Sequence, residues 1–451
     1  MANINLLVRR LERDLKLARE LQRRGRTRDD APRERERPDR EVDRPRFEHA
    51  APPPPRVDTQ HKLVVLPGEG VTYALRYYYK TNRVGAEEWV DVEIRGGGHG
   101  PVDIGLKDAA HNDGLPLNVR LWTQDPGAAE IDGLCWGNYG GTFVASLVVE
   151  NLDVRKAPGQ RAAVSDISFN GESCAGNVWL RSLRPLQNVA EALAGENYEG
   201  LKWGYKPSDG SDLLVISGSR HGVDSMLGEP TRIWEHPIYE TGSKRIFIED
   251  NDLRGGNRTP AQCNTPRAAV SPAPWPQVSP DTVVIRGNRC STGLLWGHSD
   301  GGAMIVWESS GLVLIEENDV VSEYGGIAIG HQPTSAAQYH SKGYPYPHNF
   351  QVSPEGHTHK EVIVRNNKVH ILPGSSRAGI SVSSALKATI EGNEILHEGS
   401  GPDYVIDGGF AAKSGAPRCT DVLIDAPADQ VETYDPISGK YVPWSPQADR
   451  A

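Results

Sequence analysis

The sequence predicts an all-β solenoid, a column of stacked short strands, behind a short N-terminal α-helix and an extended linker. Three observations carry this prediction. The 451 residues include 48 Gly and 33 Pro with only 37% hydrophobic residues, which excludes a helical bundle or long coiled coil over most of the length. A short apolar segment ending in Asn recurs along the C-terminal half. The composition also changes near residue 60, from charge and proline to short β-type runs.

Residues 1–24 form the first element. Ile4, Val8, Leu11 and Leu15 recur at alternating spacings of four and three, the seam of an amphipathic helix with coiled-coil character. Two or three heptads are marginal alone in water, so the helix is expected either to pack on its own domain or to anchor the chain to an assembly. No apolar core or small-residue cleavage site of a secretory signal is legible in these residues. No apolar run of about 18 residues occurs, so no membrane insertion is expected.

Residues 25–57 are rich in Arg, Asp, Glu and Pro and end in Pro52–Pro55, which predicts an extended, partly polyproline linker. Residues 1–46 hold 15 basic and 10 acidic residues, a local +5. The remainder holds 34 basic and 49 acidic residues, a local −15, within a net charge of −10. An acidic body argues against a nucleic-acid partner, which would need a basic face on the folded domain. The five cysteines are scattered with no Cys-x-x-Cys spacing, so they read as reduced and structural.

Residues 58–429 form the column. The repeat appears as IFIEDNDL, VVIRGNRC, VLIEENDV, VIVRNNKV and ATIEGNEI, with Asn251, Asn288, Asn318, Asn367 and Asn393 at one position. SLVVENLDV at 146–154 reads as a weaker copy, and VLIDAPAD at 422–429 as a degenerate last one. A second strand precedes several copies. Counting back from the Asn places Ile238, Ile305 and Ile380 inward, with Glu240, Trp307 and Val382 two residues on. Alternation then sends Tyr239, Val306 and Ser381 outward. Such a unit cannot bury its apolar side alone, so copies must stack. A buried Asn at each bend is tolerable when its amide pairs with the Asn above and below. About a dozen coils at about 4.8 Å each give a column of about 60 Å. KLVVLPGEGVTYAL at 62–75 is expected to cap the start, and residues 430–451 to form a nonrepeating tail.

These Asn-marked repeats resemble the right-handed parallel β-helix of the pectin-lyase-like superfamily. The resemblance implies a polysaccharide-binding or polysaccharide-cleaving groove on one outer face. A hydrolase would need two carboxyl groups about 5–9.5 Å apart. A lyase would need a base beside a charge neutraliser. The best cluster is WEHPIYE, WGHSD and WES, giving Glu235, His236, Asp300 and Glu308 as catalytic candidates. Trp234, Tyr239, Trp296 and Trp307 are candidates for stacking on sugar rings, although the register puts Trp307 inward. The insertion at 331–360 adds the aromatic candidates Tyr339, Tyr344 and Tyr346, and His357-Thr-His359 is compatible with a metal pair on one strand face. The competing reading makes the tryptophans core and the carboxylates solvated rim. RGGGHG at 95–100 reads as a tight turn, since no helix pattern opens directly after it. No cofactor motif is legible.

A β-helix behind an anchor helix and a tether resembles bacteriophage tailspike and head-fibre proteins. That resemblance implies a homotrimer made in the host cytoplasm and carried on the virion. Its N-terminus would bind a capsid or tail protein, and its column a host surface polysaccharide. A polysaccharide depolymerase, lyase or glycoside hydrolase, on the same fold is the alternative. A non-binding capsid decoration protein is the third reading.

Overall fold

A computed structural model describes residues 49–58, 60–104, 117–135, 144–156, 162–165, 176–186, 199–203, 211–220, 236–241, 243–256, 259–264, 281–292, 302–307, 311–330, 359–408 and 417–445. The chain forms two compact units, Met1–Ala50 and Ala51–Ala451, and the second contains the column.

The column is a parallel β-helix with three faces. Sheet I has twelve strands, from His61–Val65 to Asp421–Ile424. Sheet II also has twelve, from Val102–Asp103 to Lys440–Pro443. The third face comprises a three-stranded sheet and a five-stranded sheet III, which runs from Asp252–Gly256 to Glu394–His397. Among the described residues every pairing is parallel except the last one in sheet II. The dozen coils expected from the repeat are therefore present.

One interior column holds the fold together. In sheet I the inward positions run Val92, Leu121, Val149, Leu180, Ile216, Ile248, Ile285, Ile315, Val364 and Ile390, each at most 1% exposed. Dense stacking of branched side chains excludes water and supplies most of the stabilisation.

The corner between sheets I and III is the tightest. Two residues separate Glu249 from Asp252, Arg286 from Arg289, Glu316 from Asp319, Arg365 from Lys368 and Glu391 from Glu394. The first of the two has positive φ: Asp250, Gly287, Glu317, Asn366 and Gly392 lie between 55° and 65°. The second is the repeated Asn. Each Nδ2 donates to the next Oδ1, from Asn251 to Asn288, Asn318, Asn367 and Asn393, at 2.9–3.0 Å. The predicted ladder is continuous over all five residues.

The structure corrects the sequence reading in five places. The copy at 146–154 is shifted: Asn151 takes the positive-φ position (66°), and buried Leu152 stands where the ladder Asn would be. The opening cap is a strand only over His61–Val65. It continues as helix α1, Val71–Thr81, whose Val71, Leu75 and Tyr79 enter the interior at helical spacing. Ile305 and Trp307 face outward, and Met304 and Val306 face inward, because Met304, not Ile305, pairs with Ile327 and Ala261. The cause is turn length. Three residues separate Thr241 from Arg245, but four separate Trp307 from Leu312, so counting back from the Asn slips by one. The strand Ala261–Asn264, between the 238–241 and 304–307 rungs, was not anticipated.

The fifth correction concerns the linker. Residues 51 and 52 lie on the outer face of sheet I. Ala51 packs on a stripe of Val148, Trp179, Val215, Phe247, Val284 and Leu314, and the Trp179 indole donates to Pro52 O at 2.9 Å. The tail folds back as a hairpin: Val431–Asp435 extends sheet II, and Lys440–Pro443 pairs with it antiparallel. Four cysteines, Cys135, Cys263, Cys290 and Cys419, are free and buried, as expected, and Cys174 lies outside the described residues. Ile4, Val8, Leu11 and Leu15 of the anchor helix also lie outside them.

Candidate functional site

The outer face of sheet I is not open. Its central stripe is apolar and buried, and beside it runs an ion-pair ladder. Glu249, Arg286, Glu316 and Arg365 stand opposite one another on successive strands. Arg286 Nη1 pairs with Glu249 at 3.2 Å, Arg286 Nε with Glu316, and Arg365 Nε with Glu316 at 2.6 Å. The Glu316 side chain is 2% exposed, so these charges are committed to each other. Sheet III likewise alternates Asp252, Arg289, Asp319, Lys368 and Glu394.

Sheet II is the face next to the sequence candidates. Its outward positions in register are Tyr239, Gln262, Ile305, Ala328, Ser381 and Val405. Tyr239 is half-buried and sits 5.1 Å, centroid to centroid, from the ring of His236. His236 is only 2% exposed, and its Nδ1 lies 3.0 Å from Thr259 O. A carbonyl can only accept, so Nδ1 carries the proton in that bond. Thr259 in turn donates its hydroxyl to Gly302 O at 2.8 Å, which links this corner to the coil above. His236 is thus tied to the scaffold, which favours positioning Tyr239 over open acid–base work.

Glu240 was placed on the inward register, and it is there, fully buried opposite Cys263. Its Oε1 accepts from Ser243 N at 2.6 Å, and Oε2 has no hydrogen-bond partner. Burial raises its pKa to about 8, against the hydrogen bonds from Ser243 that lower it. A carboxyl in such a place is a neutral acid at pH 7. It faces the interior, so it does not belong to the outer face that carries Tyr239.

Trp307 is outward, 7% exposed, and forms a small apolar cluster with Ile305 and Ala328 on the sheet II face. The register counted from the sequence put it inward, against its other reading as a ring able to stack on sugar. Gln262 was missed with its whole strand. The remaining candidates, Trp234, Glu235, Trp296, Asp300, Glu308, Tyr339, Tyr344, Tyr346 and His357, lie outside the described residues. His359 is buried, with Nε2 3.2 Å from Gly330 O, a structural contact. Among the described residues no group of three or more His, Cys, Asp or Glu is placed to hold a metal.

In chain order those candidates flank strands of sheet II. Trp234 and Glu235 precede the strand Ile238–Thr241, and Trp296 and Asp300 lie between Arg289–Thr292 of sheet III and Met304–Trp307 of sheet II. Glu308 and residues 331–358 lie on connections from sheet II to sheet I.

No protein-family model and no curated protein matches the sequence. Among solved structures, the chain is similar to the A-module of a mannuronan C-5 epimerase from Azotobacter vinelandii. The identity is 13%, covering 81% of this chain and 85% of that chain, with a TM-score of 0.39. It is also similar to a mannuronic-acid-specific polysaccharide family 6 lyase from human gut microbiota. There the identity is 9%, covering 74% and 82%, with a TM-score of 0.27. Neither likeness assigns an activity to this chain.

Proposed function

We propose that this chain is a spike or fibre subunit of a bacteriophage or phage-like particle. In this reading its N-terminal segment attaches to a capsid or tail protein, and the outer face of sheet II binds a host surface polysaccharide. The subunits form a homotrimer on the virion. One observation carries the binding part. The long connections, such as 265–281 and 331–358, begin or end at sheet II, whereas the corner between sheets I and III is held at two residues per coil. Insertions on a rigid scaffold are where recognition concentrates. Of the described outward residues between them, Gln262, Ile305, Trp307 and Ala328 are at most 8% exposed, so Tyr239, half-buried, is the ring left within reach of a sugar. A partly exposed tyrosine ring suits stacking on a sugar better than general acid–base chemistry.

The attachment part rests on the amphipathic seam of residues 4–15 and the +5 charge of residues 1–46. Deleting residues 1–46 is expected to leave the column folded and abolish incorporation into particles. Normal incorporation of the truncated chain refutes the anchor. Tyr239→Ala in the full chain is expected to weaken binding to extracted host polysaccharide by about tenfold, the loss of one stacking ring. Unchanged binding removes sheet II from the proposal.

The depolymerase reading is favoured by one observation: Glu235 and His236 directly precede the strand that carries Tyr239, and Asp300 precedes another rung of the same sheet. Oligosaccharide release that Glu235→Gln, Asp300→Asn or Glu308→Gln abolishes would establish it.

A further inference from the structure

The two ends of the column are built differently. At the start, α1 packs on His61–Val65 and seals the interior with Val71, Leu75 and Tyr79. At the finish, the tail hairpin pairs with sheet II only, and Ala426 and Trp444 beside it pack on the interior cluster. Among the described residues, no strand follows Asp421–Ile424 in sheet I or Glu394–His397 in sheet III. The inward residues there, Val422, Ile424 and Ile395, are only partly buried, whereas Ala388 and Ile390 one rung earlier are at most 1% exposed. On the outside, Leu423 is 62% and Leu396 57% exposed.

Charge order along the strands states what is missing. On the outer face of sheet I the rungs run Glu361, Lys387, Asp421 in register, and Lys387 Nζ lies 2.7 Å from Glu361. The sheet III series ends Asp319, Lys368, Glu394. Both series stop on an acid. Residues 417–435 add Asp425, Asp429, Glu432 and Asp435 to Asp421, against the single Arg418. An exposed strand edge with an apolar face and an acidic rim is a template for a cationic strand.

We propose that this end is a strand-addition site for an extended segment of a partner protein reading basic–apolar–apolar–apolar, laid parallel to Asp421–Ile424. The basic residue pairs with Asp421. The first and third apolar residues cover Val422 and Ile424, completing the interior. The second covers Leu423 on the outside. Main-chain amides of the free edge supply the hydrogen bonds, and the side chains set the register. The first strand of this chain carries the same pattern, Lys62-Leu63-Val64-Val65, but α1 is packed on it. A second copy is therefore the competing occupant that the test must separate.

The probe is a fluorescently labelled heptapeptide with the sequence of residues 60–66, Gln-His-Lys-Leu-Val-Val-Leu, titrated by anisotropy against the full chain. Saturable binding is expected. Asp421→Lys should weaken it about tenfold, and a peptide with Lys replaced by Glu should recover binding to that variant. Leu423→Lys, at an exposed position, is the second variant should Asp421→Lys fail to fold. Alternate N-methylation of the peptide should abolish binding. No binding at millimolar peptide, or binding indifferent to charge and N-methylation, overturns the proposal. A concentration-dependent rise in mass by light scattering, suppressed by Lys62→Glu, would assign the end to a second copy and also overturn it.

Discussion

Replacing Asn318 by Ala is the sharpest test of the ladder. Asn318 is 1% exposed. Its Oδ1 accepts from Asn288 N at 2.9 Å and Asn288 Nδ2 at 3.0 Å. Its Nδ2 donates to Ile285 O and to Asn367 Oδ1, both at 2.9 Å. Alanine removes all four bonds. The Asn288 side chain keeps Ile248 O and Arg286 O, and Asn367 Oδ1 keeps Asn318 N, so those groups are not stranded. Asn288 N–H is left without its acceptor in a dry interior, which alone costs about 1–3 kcal/mol. With the other three bonds and a small void, the expected loss is about 3–5 kcal/mol. Asn393→Ala, at the half-buried end of the ladder, removes Val364 O and the two Asn367 donors from a place water can reach, so it should cost about 1–2 kcal/mol. The assay is urea unfolding followed by tryptophan fluorescence and circular dichroism. Equal losses in the two variants, or a loss under about 1 kcal/mol for Asn318→Ala, would refute the idea that the ladder holds this corner.

Two further outcomes follow from single positions. The folded pKa of Glu240, about 8, lies above its ordinary value, so the folded chain keeps a proton that the unfolded chain releases. That stability is fully present below about pH 4.5 and declines as pH rises to about 8, by at most about 5 kcal/mol. Glu240→Gln should flatten this slope in thermal melts between pH 5 and pH 8, and a parallel slope in the variant would sink the assignment. Glu317 adopts φ 57° where other coils use Gly287 and Gly392. Glu317→Gly should therefore raise stability by about 0.5–1 kcal/mol, measured as a higher urea midpoint at unchanged m value.

The ladder was legible because one residue type recurs at one bend. The N-terminal half was not, because Leu152, Leu183 and Ser219 fill the same corner there and leave no common letter to align. The strand Ala261–Asn264 was hidden by its composition, since Ala261 fills the interior where other coils place Ile238, Met304 or Ile327. The helix α1 was obscured because Val71 and Leu75 lay inside the segment 62–75 expected to cap as a strand, while Tyr79, which completes the helical spacing, lies beyond it. For the candidate site, Trp307 was put on the wrong face by a one-residue difference in turn length. Periodicity reports stacking well. It says little about connections, whose lengths the stack leaves free.

One pattern in the repeat explains how similar coils keep their order. The residue two before each ladder Asn runs Glu249, Arg286, Glu316, Arg365, Glu391, and the residue after runs Asp252, Arg289, Asp319, Lys368, Glu394. Both series alternate in sign from coil to coil, at a strand spacing of about 4.8 Å. Identical coils would stack as well after slipping by one. Alternating coils do not, because a slip sets acid on acid in both series. Excising residues 282–311 isolates this effect. It brings Asn251 onto Asn318 and Ile248 onto Ile315, like on like as in the native stack, but sets Glu249 on Glu316 and Asp252 on Asp319. Excising 282–360 removes two coils and restores Glu249 on Arg365 and Asp252 on Lys368. The shorter protein should therefore be the more stable of the two, by about 3 kcal/mol, the cost of leaving a buried charge without its partner. If urea midpoints show the one-coil deletion to be the more stable, apolar stacking alone sets coil order, and the alternating charges are bystanders.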